Sequence, residues 1–246
     1  MNPSMQASTA HASHRCLTLF DLDGTLLPFD SNRAFGAYLV EIGWADGDWL
    51  ARSDAFLRDH DRGELDLHAC IEFATAAWRD RPRAEAEAAR AAFVREIIRP
   101  AVPARVIEVV ERHQRAGDLV AIVTATNEFL AEPIAAALAI DHLLAVRLER
   151  DADGQVTGRI EGTPSFHAGK IERVTAWLAQ RSRQLGDFDR VTFYGDSIND
   201  VPLLEVVSHP VAANASPSLR RLALQRGWPL VDLFGHSAGA GGRAHP

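Results

Sequence analysis

The 246-residue sequence lacks the marks of several protein classes. No apolar run approaches the roughly 18 residues that a membrane span requires, and the Ser/Ala/His-rich start has no signal-peptide pattern. Positive charge is in deficit, with 26 Lys and Arg against 33 Asp and Glu. Because no basic field is available to attract phosphate polymers, we predict a protein that binds neither nucleic acid nor membrane. A cytoplasmic location is predicted from its cysteines.

Cysteine is scarce as well. Cys16 and Cys70 are the only two, and neither belongs to a CxxC or Cys/His motif. We therefore expect two buried or half-buried free thiols in a reducing compartment. Lysine is scarce as well, since arginine is the preferred base of this sequence, and the retained Lys170 therefore suggests a functional role.

Short apolar runs alternate with amphipathic helical segments along most of the chain. This alternation predicts an α/β fold with a doubly wound parallel sheet. The turn signal Asp153-Gly154 predicts a hairpin between residues 147–150 and 156–160. After the apolar run that begins at Arg15, strands are predicted at 119–123, 143–148, 190–194 and 210–213, and helices at 31–41, 104–116, 128–138, 168–185, 202–207 and 218–226.

Residues 31–99 interrupt the alternation directly after the first strand. They contain no convincing strand, and their apolar residues recur at spacings of three and four, which predicts about four helices. We therefore expect a core formed by residues 15–30 and 100–234, with a helical cap domain at 31–99. Residues 1–14 and 235–246 are predicted to be disordered.

Two carboxylates, Asp21 and Asp23, end the first apolar run. The carboxyl ends of parallel strands deliver ligand groups to one edge of a sheet. Two carboxylates there are costly to hold together unless a cation or a proton joins them. The stretch Phe20–Thr25 therefore predicts a divalent-metal and catalytic site.

Further polar residues fall at strand ends or at the start of a helix in the same predicted sheet. They are Thr124, Lys170, Asp196 and Asp200. Each also has an ordinary interpretation, as a helix cap, a turn residue or a solvated lysine. The functional interpretation requires that these residues converge at one edge of the sheet.

In this order, the motifs resemble the haloacid dehalogenase superfamily of phosphotransferases. The helical insertion after the first strand resembles that of its phosphoserine phosphatase-like branch, and the likeness covers about residues 15–234. It depends mainly on the pairing of Phe20–Leu26 with Gly195–Asp200, because Thr124 and Lys170 alone would be weak signals.

The resemblance implies a phosphomonoesterase that uses Mg²⁺ and forms an aspartyl-phosphate. Asp21 is the implied nucleophile, and Asp23 is the implied acid and base. Mg²⁺ would be bound by the carboxylates of Asp21 and Asp196 and by the Asp23 carbonyl. Asp200 would hold metal-bound water or Lys170.

The resemblance also implies which residues contact the substrate, a small-molecule phosphate ester. It implies no oligomeric state. Thr124 and the amides of Gly24 and Thr25 would donate to phosphate oxygens, and Lys170 would offset negative charge. For Asn199, a substrate contact and an ordinary loop amide remain equally open.

The insertion is expected to select the substrate. In phosphoserine phosphatases, an acidic residue nine positions after the nucleophile holds the substrate amino group; here it is Asp30, which could instead cap the next helix. In the same enzymes, an arginine nine residues after a glycine of the cap holds the substrate carboxylate. The residue nine positions after Gly63 in this sequence is Glu72. Because a glutamate would repel a carboxylate, we predict an amino-alcohol phosphate such as histidinol phosphate.

Other functions remain open. Arg52, Arg58 and Arg62 could supply an anion site, which would suit a phosphoserine phosphatase. A phosphotransferase or mutase would pass the phosphoryl group to a second alcohol. A catalytically silent binding module would not need Asp21 and Asp23. Dehalogenation is disfavoured because it offers Asp23 no alkoxide to protonate.

Overall fold

The computed structural model describes residues 14–235, so the segments predicted to be disordered lie outside the described residues, apart from His14 and Gly235. Within this range no helix is both long and apolar enough to cross a membrane. The strands are β1 (Cys16–Phe20), β2 (Leu119–Asn127), β3 (His142–Val146), β4 (Leu148–Arg150), β5 (Val156–Ile160), β6 (Arg190–Gly195), β7 (His209–Ala213) and β8 (Leu230–Val231). The helices are α1 (Ser31–Glu41), α2 (Asp48–Arg62), α3 (Leu67–Ala76), α4 (Arg83–Phe93), α5 (Arg99–Ala101), α6 (Ala104–Arg115), α7 (Glu128–Ala137), α8 (Gly169–Ala179), α9 (Val201–Val206) and α10 (Pro217–Arg226).

Six strands form one parallel sheet in the order β3-β2-β1-β6-β7-β8, with β1 near its centre. Side chains of β1 alternate between two apolar cores: Leu17 and Leu19 face one, and Phe20 faces the other. Helices cover both cores, which confirms the predicted doubly wound α/β fold. After β1, the Asp21 amide donates to the Tyr194 carbonyl at 2.9 Å, which holds the first acidic residue beside β6.

Several elements differ from the predicted ones. Strand β2 does not end at Val123 but continues to Asn127, whose side chain caps α7 by accepting the Leu130 amide at 3.2 Å. Helix α8 is shorter than predicted because it stops at Ala179, and Ser182 then adopts a left-handed φ of 55°. The edge strand β8 was not predicted, since two residues carry no periodic signal.

Only helical elements lie between β1 and β2, including a π-helical stretch at Val94–Ile98 between α4 and α5. The predicted hairpin is confirmed as β4–β5, and α3 packs against it. At Gly158 a Cβ would lie 2.1 Å from Nη1 of Arg79, so the glycine permits this close approach. The boundaries of a separate cap domain remain a prediction, because one apolar core connects this segment with the sheet.

Pro133 was expected to kink or shorten α7, but the helix continues through it. Proline leaves the carbonyl four residues earlier without its helical donor. That carbonyl belongs to Phe129 and accepts a hydrogen bond from Nη1 of Arg90 at 2.6 Å. The Trp78 ring stacks on Phe129 at a centroid distance of 3.9 Å, so the helical segment is attached to α7 at this point.

Candidate active site

The predicted strand-end residues meet at the carboxyl edge of the sheet. Asp21, Asp23, Thr124 and Lys170 line one cavity of about 790 Å³, its open mouth included. The roof is formed by α2, α3 and the start of α1.

Lys170 is the central cation of the site and is only 2% exposed. Its Nζ donates to Oδ1 of Asp21 at 2.9 Å and to Oδ1 of Asp200 at 2.6 Å. Burial alone would lower the pKa of Lys170, but Asp200 and Asp21 outweigh burial and raise it. Lys170 therefore carries a proton at any physiological pH and offsets two carboxylates.

Three carboxylates, those of Asp21, Asp196 and Asp200, have one oxygen each within 4.8 Å of one another. Burial raises the pKa of Asp21 to about 6, with Lys170 lowering it and Asp200 raising it. Burial, Asp200 and Asp21 raise the pKa of Asp196 well above its usual range. This crowding of hard oxygen ligands fits a divalent cation such as Mg²⁺.

The oxygens of Asp200 are already occupied. One binds Lys170, and the other accepts the amides of Asp196 at 3.1 Å and Ser197 at 3.3 Å. Asp21 and Asp196 therefore keep the greater capacity for a metal. A Cβ at Gly24 would lie 2.2 Å from Oδ2 of Asp196, so only glycine allows the two motifs to approach this closely.

Asp23 is held apart from the other carboxylates. Its Oδ2 accepts the hydroxyls of Thr126 at 2.7 Å and Ser31 at 3.0 Å, and its Oδ1 accepts the Ser31 amide at 3.0 Å. Burial and the charge of Asp30 raise the pKa of Asp23 well above its usual range. A carboxyl group in this state is suited to hold and release a proton.

Sequence reasoning missed both of these partners of Asp23. Thr126 lies two residues after Thr124, and alternation along a strand places them on one face. Recognition that β2 extends past Val123 would have identified Thr126. Ser31 follows Asp30 and carried no separate signal.

The prediction that the Gly24 and Thr25 amides bind phosphate is wrong. The Gly24 amide donates to the Leu27 carbonyl at 2.8 Å, and the Thr25 amide donates to the Leu22 carbonyl at 3.3 Å. The Thr25 hydroxyl donates to Oδ1 of Asp196 at 3.3 Å. This turn therefore positions Asp196 instead of presenting donors to the cavity.

Thr124 and Asn199 both line the cavity but differ in what they offer. Oγ1 of Thr124 accepts the Thr126 amide at 3.1 Å, which leaves its hydroxyl hydrogen available for a ligand. The amide of Asn199 instead binds the His60 carbonyl and the His167 ring. These contacts within the protein favour the loop amide over the substrate contact, the two interpretations that were left open for Asn199.

Glu72 does not face the cavity, so the prediction that it repels a substrate carboxylate is wrong, and the choice of an amino-alcohol phosphate loses that support. The residues of α3 that line the cavity are Leu67, Cys70, Ile71, Phe73 and Ala74. Glu72 lies exposed on an outer face of this helix. The three arginines of the alternative anion site are also exposed and line no part of the cavity: Arg52, Arg58 and Arg62.

Asp30 caps the next helix, which was one of its two interpretations, and its contact with a substrate amino group stays a prediction. Its Oδ1 accepts the Arg33 amide at 2.7 Å and caps α1, and its side chain also lines the cavity. Burial raises the pKa of Asp30. His60 of α2, which sequence reasoning missed, lines the same space; burial lowers its pKa, against the opposing effect of Asp30.

The two thiols are free, as predicted, and both are half-buried. Cys70 lines the cavity, and burial raises its pKa to about 12. Cys16 lies at the opposite, amino end of β1.

The raised pKa of Asp21 predicts how the stability of the metal-free protein changes with pH. Because the folded state binds this proton more tightly than the unfolded chain, the resulting stabilisation is complete below about pH 4. It is lost as pH rises through about 6. We expect the free energy of unfolding to fall by at most about 3 kcal/mol from this group.

Melting temperatures in EDTA at pH 5 and pH 7 measure this loss, and Asp21→Asn should show a smaller difference between the two temperatures. An equal difference in both proteins would contradict this assignment.

Comparisons with known proteins agree with this geometry. A model of the haloacid dehalogenase-like hydrolases matches residues 18–205, which is most of the chain. The chain belongs to this family. The hydrolase is 37% identical over 218 residues to a histidinol-phosphatase of Neisseria meningitidis serogroup C (strain 8013), covering 88% of this chain and 98% of that one. The match confirms the predicted family and an enzyme that hydrolyses phosphoric monoesters.

Solved structures resemble this haloacid dehalogenase-like hydrolase over most of its length. A protein of unknown function from Bordetella pertussis Tohama I has a TM-score of 0.83 and 46% identity, with coverage of 90% of this chain and 100% of that one. A substrate-bound phosphoserine phosphatase has a TM-score of 0.64 at 19% identity, with coverage of 89% and 92%. At that identity the likeness shows the shared fold alone.

Proposed function

We propose that this phosphatase uses Mg²⁺ and Asp21 to hydrolyse a small amino-alcohol phosphate such as histidinol phosphate. One observation carries the choice of substrate. Among the described residues that line the cavity, Lys170 is the only lysine or arginine, and it is occupied by two carboxylates. Asp30 contributes a further carboxylate to the wall of the cavity.

The carboxylates of Asp21 and Asp196 would hold Mg²⁺, which when bound neutralises charge on the phosphate oxygens. The Thr124 hydroxyl is placed to donate to one of these oxygens. Lys170 keeps Asp21 ionised by donating to it at 2.9 Å. Positioning and charge neutralisation of this kind supply most of the catalysis in phosphoryl transfer.

Hydrolysis then takes two steps. An Asp21 carboxylate oxygen attacks phosphorus, the bond from phosphorus to the ester oxygen breaks, and the Asp23 carboxyl gives its proton to the leaving oxygen. In the second step the Asp23 carboxylate takes a proton from water, whose oxygen attacks phosphorus and releases inorganic phosphate and free Asp21. The hydrogen bonds of Thr126 and Ser31 hold Asp23 in place in both steps.

The remaining walls suit a flat, cationic organic group. Asp30 supplies the negative charge for an ammonium or imidazolium group, and aromatic rings provide surfaces for stacking. The rings are those of Trp49, Phe56, Phe73 and Phe166. A phosphoserine carboxylate would find no arginine in this cavity, and the Neisseria relative named histidinol-phosphatase agrees with the choice.

Kinetics with three substrates test this proposal. We expect kcat/KM for histidinol phosphate to exceed that for phosphoserine by about 100-fold, the effect of one well-placed charge contact and one avoided repulsion. Asp30→Asn preserves a good helix cap but removes the charge. Because the charge of Asp30 also raises the pKa of Asp23, the variant changes turnover of both substrates through Asp23. We expect it to lower kcat/KM for histidinol phosphate about 30-fold relative to kcat/KM for p-nitrophenyl phosphate, which has no cationic group.

The variant Asp54→Asn is the matched control, since Asp54 also contacts Arg33 but does not line the cavity. It should leave the ratio between the two substrates unchanged. A preference for phosphoserine in the wild-type enzyme, or equal losses for both substrates in Asp30→Asn, would refute the proposed substrate class.

A further inference from the structure

The side chain of Asn199 connects parts of the site that are distant in the chain. Its Nδ2 donates to the backbone carbonyl of His60, 2.9 Å away in the last turn of α2. Its Oδ1 lies 2.6 Å from Nε2 of His167, which carries the hydrogen because an amide oxygen only accepts. Asn199 is 2% exposed and directly precedes Asp200.

The end of α2 lies directly on this loop. The His60 carbonyl also accepts the Gly63 amide at 2.9 Å, so Asn199 is its second donor. Gly63 ends the helix with a left-handed φ of 72°. A Cβ at Gly63 would lie 3.5 Å from Ile198 and 3.6 Å from Oδ1 of Asn199. The roof of the cavity therefore contacts the loop that bears Asp200.

His167 connects the same amide to the loop of Lys170. Its backbone adopts a φ of 48°, which is uncommon for a residue other than glycine. Such a conformation persists where the surrounding structure supports it, and the bond from the ring to Asn199 is one such support. The His167 carbonyl in turn accepts the Lys170 amide at 3.1 Å.

We propose that Asn199 is a positioning residue that latches the helical roof over the active site. Its two hydrogen bonds join the end of α2 to the loops of Asp200 and Lys170, so the roof and the charged groups are held in one arrangement. Loss of the latch lets the roof open more often and exposes the cavity. The inference concerns the site of the proposed function, but opening is measurable without turnover.

The two cysteines provide this measurement. Cys70 belongs to the roof helix α3 and lines the cavity, and Cys16 lies at the far end of β1 as an internal control. Alkylation by iodoacetamide is followed at each thiol by peptide mass spectrometry in the free protein. We expect Asn199→Ala to accelerate alkylation of Cys70 about fivefold, the effect of losing the buried hydrogen bond that holds the end of α2, without change at Cys16.

Asn199→Asp keeps an acceptor for His167 but sets a carboxylate oxygen against the His60 carbonyl, so it should accelerate alkylation of Cys70 at least as much. An unchanged rate at Cys70 in both variants overturns the proposal. An equal increase at both thiols also overturns it, because it would show general loosening of the fold.

A double variant tests whether the two bonds act together. His167→Ala should accelerate alkylation of Cys70 less than Asn199→Ala does, because the bond to His60 remains. The combination of both changes should be no faster than Asn199→Ala alone. Effects that multiply would contradict a single connected latch.

Inorganic phosphate distinguishes a latch from a phosphate ligand. In Asn199→Ala we expect its inhibition constant against p-nitrophenyl phosphate to stay within about twofold of wild type, while KM for histidinol phosphate rises about fivefold. Phosphate inhibition weakened about tenfold, with normal alkylation of Cys70, would make Asn199 a phosphate ligand and overturn the latch. Since alkylation needs no substrate, an error in the proposed substrate leaves that result unaffected.

Discussion

Asp21→Asn should abolish hydrolysis of p-nitrophenyl phosphate in the presence of Mg²⁺, with a fall in kcat of roughly 10⁴-fold or more, as expected for loss of a nucleophile. The amide has the shape of the carboxyl group but cannot form the acyl phosphate. The substitution also removes one of the two carboxylates that are proposed to bind Mg²⁺. Steady-state kinetics measure the fall, and a rapid-quench experiment should find no phosphorylated enzyme.

The control for this change is Asp189→Asn. Asp189 is an exposed partner of Arg15 at the opposite end of the sheet, so its loss should leave turnover unchanged. Circular dichroism should show the wild-type spectrum for both variants. Turnover that survives in Asp21→Asn would remove Asp21 from the role of nucleophile.

The carboxylates of the site were predictable because parallel topology makes strand ends converge. Asp21 and Asp196 follow the neighbouring strands β1 and β6, whose residues pair in register from Cys16 with Arg190 onward. Once both runs are recognised as central strands, their acidic ends must meet at one edge of the sheet. This argument needs only apolar patterning and the position of each acid.

The wrong predictions concern the bonding of backbone amides and the orientation of a helix face, which are set by tertiary structure. Whether a backbone amide is free to bind a ligand depends on the conformation of the turn around it. The amides of Gly24 and Thr25 were therefore wrongly predicted to bind phosphate, since both donate to carbonyls of their own turn. Glu72 was placed by counting residues from Gly63, but the face that a helical residue presents depends on how α3 packs. A shift of one position turns a side chain through about 100°.

Residues that act through tertiary contacts were missed for a related reason. His60 contributes to the site with its ring and its backbone carbonyl, and the carbonyl has no side-chain signature. His167 gave no signal because its left-handed backbone does not follow a glycine or asparagine pattern. The face of α2 that carries Trp49, Ser53, Phe56 and His60 repeats at threes and fours, and this repeat was the available clue.

Lys170 is the cation that pairs with the Asp21 carboxylate, and Lys170→Met is expected to reduce both activity and stability. The change leaves the buried carboxylates of Asp21 and Asp200 without their shared cation. Removal of one partner from a buried pair costs about 3–5 kcal/mol. We therefore expect the melting temperature in EDTA to fall by about 10 °C. We expect kcat to fall about 1,000-fold with saturating Mg²⁺, because the charge on Asp21 and phosphate is no longer offset.

The double variant Lys170→Met/Asp200→Asn separates the two effects. Replacing Asp200 removes the carboxylate that lies 2.6 Å from Nζ and is only 1% exposed, so much of the lost stability should return. Activity should not return, because Asp21 still lacks its cation. If the melting temperature stays at the level of Lys170→Met, the loss reflects packing and not an unpaired charge. If kcat recovers in the double variant, Lys170 serves only to neutralise Asp200, and its contact with Asp21 contributes little to phosphoryl transfer.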